Sequence, residues 1–316
     1  MVKRVNPANP VRNGVAFPSD EVAASIGPAK QLAGRPVPGA GSGALTERSM
    51  SQPRPIRLPD DGFNELAMCR HGPMLFNRND QYVGESLRRY GEFSPGESDL
   101  FRQIVQPGMT VVEVGANIGA HTVELSRLAG PAGRVIAFEP QRLVFQVLCA
   151  NLALNSCANV HALPYAVGAQ TGEILVPVLA PDRRNNFGGL SLRDATQGER
   201  VRLVTIDDLA LGACHVLKLD LEGMEVEALK GAARTIATHR PFIYAENDRR
   251  DRSEELLGLL AGWNYRLYNH HPPLFAADNF AGETANVFGN IVSINVFCVP
   301  GERNIAVATA APASSG

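Results

Sequence analysis

The run EVGANIG at residues 113–119 contains the residues best suited to ligand chemistry: Glu113, Gly115, Asn117 and Gly119. Glycines at a turn between a strand and a helix let the backbone bend sharply and approach a bulky ligand. A dinucleotide fingerprint needs glycine at its first, third and sixth positions. Counted from Gly115, this run has asparagine third and alanine sixth. The missing middle glycine disfavours a pyrophosphate as the ligand. The alternative interpretation is a glycine-rich turn that binds no ligand.

Glu139 ends a second short apolar run, RVIAFE. An acidic side chain at the end of this strand accepts hydrogen bonds from both hydroxyls of a ribose. Nicotinamide cofactors and other adenosine-containing cofactors share this feature, so Glu139 indicates a ribose without choosing the cofactor. An exposed carboxylate at a strand end is the alternative.

Acidic and amide side chains follow two later strands. Asp220 and Glu222 follow one strand, and Glu246, Asn247 and Asp248 follow the next. A carboxylate in this position is a candidate general base. Alternatively, Asp220, Glu246 and Asn247 supply three oxygen ligands to Mg²⁺, a hard cation that prefers such groups. Helix capping by Asp220 and Asp248 is a third interpretation.

Two adjacent histidines, His270 and His271, lie in a loop after the sixth predicted strand. The pKa of an imidazole lies near neutrality, which makes His271 a further candidate base. A histidine in a loop is otherwise a surface or hydrogen-bonding residue. His121 either contacts a cofactor or packs within the first helix.

Alternating strand and helix patterns position these residues at one edge of a sheet. Short β-branched or apolar runs predict strands at residues 110–114, 134–139, 160–163, 216–220, 242–245, 265–268 and 291–299. Apolar stripes predict helices at residues 119–129 and 143–154, along 226–236 and around 256–260. Repeated βαβ units imply an α/β fold, a doubly wound and mainly parallel sheet with helices on both faces. Ligands of such sheets bind beyond the carboxyl ends of the strands.

Composition excludes several classes of protein. The formal net charge of -2 provides no basic field, so we expect no nucleic-acid partner. No apolar run has the length of a membrane span, and the first residues lack the apolar core of a signal peptide. Five scattered cysteines indicate neither disulfides nor a zinc site. These features predict a cytoplasmic protein.

Domain boundaries follow from changes in composition. Residues 1–57 are rich in proline and glycine and are predicted to be a disordered tail. Residues 58–95 are predicted to be a lid or pre-domain segment, residues 96–300 the main domain and residues 301–316 a flexible tail. The turn-rich stretch 170–205 is predicted to be a hairpin or an irregular insertion. Within these segments, residues 82–93 and 185–191 either shape an acceptor pocket or form surface turns.

The run VVEVGANIGAHTVELSRLAGPAGRVIAFEPQRLVFQVLCANLALN resembles the FkbM-type methyltransferases, a branch of the class I S-adenosylmethionine enzymes. The later runs VRLVTIDDL, LKLDLEGMEVEALKGA and YAENDR extend the likeness to about residues 85–299. The resemblance implies a Rossmann-like sheet of seven strands, with one antiparallel strand at the edge side. It also implies methyl transfer to a hydroxyl oxygen.

The same resemblance assigns roles to residues. Glu113, Gly115, Asn117 and Gly119 are expected around the methionine part of S-adenosylmethionine. Glu139 is expected at the ribose and Ala166 near the adenine. Activation of the acceptor hydroxyl then falls to Asp220, Glu246 or His271, or to Mg²⁺ held by Asp220, Glu246 and Asn247.

The leading hypothesis is an O-methyltransferase that acts on a hydroxyl of a sugar, a glycolipid or a secondary metabolite. Two alternatives stay open. The first is a nicotinamide-dependent oxidoreductase, which the asparagine at position 117 disfavours. The second is a non-catalytic module that binds the cofactor, which the acidic residues after the later strands disfavour.

Overall fold

A mainly parallel sheet lies at the centre of the computed structural model, which describes residues 58–59, 61–193, 195–305 and 311–312. The predicted disordered tail, residues 1–57, falls outside the described residues. The strands are β1 (Asn64–Cys69), β2 (Gly72–Asn77), β3 (Thr110–Val114), β4 (Arg134–Phe138), β5 (Val160–Leu163), β6 (Ala166–Val167), β7 (Gly172–Val176), β8 (Glu199–Val204), β9 (Val216–Leu219), β10 (Phe242–Glu246), β11 (Tyr265–His270), β12 (Asn295–Pro300) and β13 (Ala311–Pro312). The helices are α1 (Val83–Tyr90), α2 (Pro95–Ile104), α3 (Thr122–Ala129), α4 (Arg142–Leu154), α5 (Glu225–Lys230), α6 (Ala233–His239) and α7 (Arg250–Gly262).

The main sheet has the strand order β13-β11-β12-β10-β9-β3-β4-β5. Neighbours among β10, β9, β3, β4 and β5 pair in parallel, whereas β12 runs antiparallel to both β10 and β11. The predicted doubly wound, mainly parallel seven-stranded sheet is therefore confirmed. The antiparallel strand lies one place inside the edge, and the two-residue strand β13 adds an eighth strand beside β11.

Side chains of β3 alternate between two cores, which shows that helices cover both faces of the sheet. Val112 packs in one core with Leu229 of α5 and Leu256 of α7. Val111 packs in the other core with Leu125 of α3. Buried strands with apolar residues on both faces are typical of parallel sheets.

Smaller elements flank this sheet. Strands β1 and β2 form an antiparallel hairpin ahead of the main domain. Strands β7 and β8 pair antiparallel and β6 pairs in parallel with β8, so the turn-rich stretch 170–205 contains the predicted hairpin within a three-stranded sheet. Among the described residues, no helix combines the length and the apolar character that crossing a membrane requires.

Several predicted elements differ from the structure by a few residues at their ends, as in α3, which begins at Thr122, and β11, which extends to His270. Two differences have a clear physical reason. The helix predicted along residues 226–236 is interrupted between α5 and α6 at Gly231, where a Cβ atom would lie 2.1 Å from the carbonyl oxygen of Gly168. The strand predicted at 291–299 begins only at Asn295. The β-branched residues before it belong to a long irregular segment, so β-propensity alone misplaced the start of this strand.

Asn151 of α4 joins the β1–β2 hairpin to the sheet. Its side chain is fully buried and donates to the carbonyl oxygens of Leu75 (2.9 Å) and Ile118 (2.7 Å). The side-chain oxygen Oδ1 of Asn151 accepts a hydrogen bond from the backbone N–H of Leu75 at 2.6 Å. One amide thus satisfies three buried backbone groups from two separate segments.

We expect Asn151→Leu to reduce the free energy of unfolding by about 2–4 kcal/mol, because three buried backbone groups lose their partner. Urea denaturation measures the change. Gln146→Leu, at an exposed position of the same helix, is the matched control and should change stability by less than about 0.5 kcal/mol. Equal effects of the two substitutions would contradict this role of Asn151.

Candidate functional site

Two adjoining clefts open at the carboxyl ends of the central strands. The first cleft encloses about 580 Å³ and the second about 1380 Å³, both counted with open solvent. The two clefts share five lining residues, Gly115, Asn117, Gly188, Asp220 and Glu222. They therefore form one continuous space, which lies where the sheet topology predicts a ligand.

The structure brings most of the predicted site residues to this space. Glu139 and Ala166 line the first cleft, Glu113 and Glu246 line the second, and Gly115, Asn117 and Asp220 line both. The predicted pocket loops also contribute to the second cleft through residues 82, 83, 93, 186, 188 and 189.

Three predicted residues lie elsewhere. His271 is exposed, and neither it nor Asn247 lines either cleft. Gly119 also lies outside both clefts, and its role is packing: its φ is +86°, and a Cβ atom there would lie 2.8 Å from Cδ1 of Leu148. The neighbouring His270 is buried and pairs through Nδ1 with the hydroxyl of Tyr244 at 2.9 Å.

Gly115 lets the ends of β3 and β9 approach each other. Its φ is +81°, and a Cβ atom there would lie 1.8 Å from the carbonyl oxygen of Asp220. Asn117 also adopts a left-handed conformation, with φ of +51°, and its side-chain oxygen accepts from the N–H of Ile118 at 2.7 Å. Asparagine tolerates this conformation better than most residues, so the turn forms without a middle glycine.

Glu139 is held at the end of β4 by backbone donors. Its two oxygens accept from the N–H groups of Asn117 (3.0 Å) and Gln141 (2.8 Å). Burial nevertheless raises the pKa of Glu139 to about 7, against the lowering effect of these hydrogen bonds. Each carboxylate oxygen has a second lone pair, so the side chain can still accept hydrogen bonds from a ligand.

Lys218 joins the buried carboxylates of the second cleft. It lies opposite Glu113 in the register of β3 and β9, with its Nζ 4.0 Å from Glu113 Oε1 and 3.0 Å from Asp220 Oδ2. Burial alone would lower the pKa of Lys218, but Asp220, Glu113 and Glu97 together raise it above its usual value. Burial also raises the pKa of Glu113 to about 7, although Lys218 and a 2.7 Å hydrogen bond from Thr122 oppose this rise.

Glu97 and His121 form the wall of the second cleft beside Lys218. Both side chains are buried. One oxygen of Glu97 accepts from Ser94 at 2.9 Å, and the other lies 3.6 Å from His121 Nε2. Burial, assisted by Lys218, lowers the pKa of His121 to about 3. The imidazole is therefore neutral and adds no positive charge to the cleft.

A second acidic group lies between the ends of β9 and β10. Asp220, Glu222 and Glu246 each offer an oxygen within 4.8 Å of the others. Burial raises the pKa of Glu222 to about 7, with Asp220 adding to the effect and Arg249 opposing it. Burial, then Asp220 and Glu222, raises the pKa of Glu246 well above its usual value. The predicted ligand set was Asp220, Glu246 and Asn247. In the structure Glu222 takes the place of Asn247 beside Asp220 and Glu246.

Sequence reasoning missed three charged residues of the site: Lys218, Glu97 and Arg249. A signal was available for Lys218, because a lysine within the buried strand VLKL needs an acidic partner. Glu97 lies in α2, far from any motif. Arg249 pairs with both Glu222 and Asp248, a contact that only the tertiary structure reveals.

We expect Lys218→Met to reduce the free energy of unfolding by about 3–5 kcal/mol near neutral pH, because it leaves buried carboxylates without their cation. The folded-state pKa values of Glu113 and Glu97 should rise further, whereas the unfolded chain keeps its values near 4.3. A carboxyl group whose pKa is higher in the folded than in the unfolded state lowers the free energy of unfolding as the pH rises from its unfolded pKa to its folded pKa.

The deficit of Lys218→Met should therefore be larger at pH 8 than at pH 5.5, as measured by chemical denaturation at both values. Lys230→Met removes an exposed lysine that pairs with Glu255 on the surface and serves as the control, with a change of at most about 1 kcal/mol. A deficit that stays constant or shrinks between pH 5.5 and 8 would contradict the coupling.

Comparisons with known proteins find several methyltransferases that are similar to this chain. Methyltransferase sdnD from Sordaria araneosa is 29% identical over 154 residues, which cover 38% of this chain and 59% of that protein. The crystal structure of methyltransferase FkbM from Methylobacillus flagellatus aligns at 22% identity with a TM-score of 0.41, over 61% of this chain and 43% of that one. An O-methyltransferase from Bacillus cereus aligns at 13% identity with a TM-score of 0.41, over 66% and 81% of the two chains.

The chain thus spans about three fifths of the length of the curated relative and less than half of the FkbM crystal structure. A family model matches a defined part of it: residues 113–267 match the methyltransferase FkbM domain. This range begins at Glu113 near the end of β3 and ends within β11. Residues 113–267 are therefore similar to the methyltransferase FkbM domain, the family that the sequence motifs predict.

Proposed function

We propose that this protein is an S-adenosylmethionine-dependent methyltransferase that acts on a hydroxyl oxygen. The observation that carries the proposal is the charge of the two clefts. Their lining includes seven carboxyl groups, Glu97, Glu113, Glu139, Asp220, Glu222, Glu246 and Asp248, but only two permanent cations, Lys218 and Arg249. Both cations are already paired with these acids. Burial raises the pKa of Glu113, Glu139 and Glu222 to about 7, so a sulfonium favours their ionised form, whereas a diphosphate disfavours it.

The residues of the first cleft suit an adenosine. In this proposal Glu139 accepts hydrogen bonds from the ribose hydroxyls, and Ala166 lies near the adenine together with Tyr165 and Leu192, which line the same cleft. Glu113, Gly115 and Asp220 surround the amino-acid part of the cofactor, whose ammonium group the carboxylates attract. The cofactor supplies an electrophilic methyl group for an in-line displacement, so the work of the protein is mostly positioning.

The acceptor hydroxyl needs a partner that removes its proton. Glu246 is our candidate base, because it lines the second cleft and its Oε2 is buried without a hydrogen-bond partner. Its raised pKa makes it a stronger base than an ordinary carboxylate once it is ionised. His271 is no longer our candidate, since it is exposed and lies outside the clefts.

A divalent cation is the alternative way to activate the hydroxyl. Asp220, Glu222 and Glu246 are hard oxygen ligands close enough together to hold Mg²⁺, and a bound cation acts as a Lewis acid. Arg249 already pairs with Glu222 and would compete with the metal. Because of this competition, we prefer the base. Turnover that survives EDTA favours Glu246 as the base, whereas turnover that needs added Mg²⁺ favours the cation.

The first test is cofactor binding by calorimetry. We expect S-adenosylmethionine and S-adenosylhomocysteine to bind and NAD⁺ not to bind. Glu139→Ala should weaken S-adenosylhomocysteine about 10- to 100-fold, because two hydrogen bonds to a charged acceptor are lost. Glu173→Ala, which removes an exposed glutamate of β7, should leave the affinity unchanged. Tighter binding of NAD⁺ than of S-adenosylmethionine would overturn the proposal.

The second test is turnover with hydroxylated acceptors. Sugars, glycolipids and hydroxylated secondary metabolites are incubated with protein and S-adenosylmethionine, and mass spectrometry follows S-adenosylhomocysteine and the methylated product. We expect Glu246→Gln to reduce kcat at least about 100-fold while the cofactor affinity changes little. Unchanged kcat in this variant would exclude Glu246 as the base.

A further inference from the structure

Exposed apolar side chains concentrate in one segment of the protein. The segment that joins β11 to β12, residues 271–294, contains five of the nine exposed large hydrophobic residues in the described part of the chain: Phe280, Val287, Ile291, Val292 and Ile294. Ile291, Val292 and Ile294 line the second cleft. An exposed apolar group at the mouth of a cleft marks a contact surface.

A recess of about 750 Å³ adjoins the second cleft beside this segment. Tyr82 and Ile291 line both spaces, so the recess and the cleft are neighbours that share these two side chains. Val287 and the buried Phe288 provide further apolar lining. The ring of Phe288 stacks on Tyr82 with the ring centroids 6.2 Å apart.

The recess is built from three segments that hydrogen bonds hold together. The hydroxyl of Tyr90, at the end of α1, donates to the carbonyl oxygen of Ala285 and accepts from the N–H of Val287, each at 2.9 Å. The backbone N–H of Asn185 donates to the carbonyl oxygen of Asn79 at 3.0 Å. The backbone N–H of Gln81 donates to the carbonyl oxygen of Asn185, also at 3.0 Å. These bonds fix the backbone on both sides of the recess before any ligand binds.

The charge of the recess is opposite to that of the cleft. Three arginines, Arg88, Arg89 and Arg184, line it together with one acid, Glu85. Glu85 pairs with both Arg88 and Arg89, so three positive charges face one negative charge, a difference of two. Arg184 is exposed and forms no ion pair with any residue that the structure describes.

We infer that the methyl acceptor is an amphipathic anion, with an apolar body and a phosphate, sulfate or carboxylate group. This inference rests on the proposed methyltransferase function. The apolar body contacts Val287 and Ile291, and the anionic group lies against Arg88, Arg89 and Arg184. The carboxylates of the cleft repel that group, so only the hydroxyl end of the acceptor reaches them.

Binding of simple probes tests this inference without knowledge of the natural acceptor. The probes are n-decyl phosphate, n-decanol and inorganic phosphate, titrated below the micelle concentration into protein saturated with S-adenosylhomocysteine. We expect n-decyl phosphate to bind at least about tenfold more tightly than either other probe, because it alone engages both the apolar and the basic lining.

Variants assign the two contributions. Arg184→Gln should weaken n-decyl phosphate roughly three- to tenfold and leave n-decanol unchanged, as expected for one partly exposed charge pair. Ile291→Ser should weaken both alkyl probes. The control is Arg200→Gln. Arg200 is an exposed arginine of β8 that pairs with Glu173 of β7, and its substitution should change the affinity of neither alkyl probe. Melting temperatures confirm that each variant is folded.

Two outcomes would overturn the inference: n-decanol binds as tightly as n-decyl phosphate, or Arg184→Gln and Arg200→Gln weaken n-decyl phosphate equally. S-adenosylhomocysteine binding, measured in the same samples, reports separately on the proposed function. If the cofactor binds and n-decyl phosphate does not, the inference fails and the methyltransferase proposal stands. If neither cofactor form binds, the proposed function fails, and with it the assignment of the recess to an acceptor.

Discussion

The ion pairs of Lys218 with Glu113 and Asp220 are the interaction on which the site depends. A buried lysine is stable only with partners of opposite charge, and here the carboxylates come from two neighbouring strands and, through Glu97, from a helix. One cation cannot neutralise all of them. Burial, with a smaller contribution from neighbouring acids, raises the pKa of several of these groups to about 7, among them Glu113 and Glu139. A cation that binds here would favour the ionised form of these acids, which is the property that the proposed cofactor uses.

The fold creates this arrangement through its strand order. Because β4, β3, β9 and β10 lie side by side in parallel, their carboxyl ends meet at one edge, and each end contributes an acid. Gly115 allows the first turn to touch the backbone of Asp220. Stability is given up where function needs charge: carboxyl groups with raised pKa values destabilise the folded state above their unfolded pKa. The apolar cores on both faces of the sheet compensate for this loss.

Sequence reasoning predicted the parts of this account that depend on local patterns. Strand and helix periodicity placed the sheet, and the turn chemistry of residues 113–119 placed the first cleft. The sequence did not predict the site residues whose positions depend on tertiary contacts. Lys218 looks like one residue of a buried strand until its partners on β3 and α2 are seen. His271 follows a strand, as the other candidates do, but that strand lies beyond β12, two places from the acidic ends, and the side chain is exposed. Glu222 joins Asp220 and Glu246 because its backbone adopts a left-handed conformation, with φ of +55°.

Proton release on cofactor binding reports on how the carboxylates of the cleft respond to the charge of the sulfonium. Titrations of S-adenosylmethionine and S-adenosylhomocysteine at pH 7, in two buffers with different ionisation enthalpies, give the number of protons released by each ligand. The two ligands differ by one methyl group and the positive charge of the sulfonium. A cation favours ionised carboxylates, so S-adenosylmethionine should release more protons than S-adenosylhomocysteine. Equal release by both ligands, or proton uptake with S-adenosylmethionine, would show that the carboxylates do not respond to the sulfonium charge and would contradict the account.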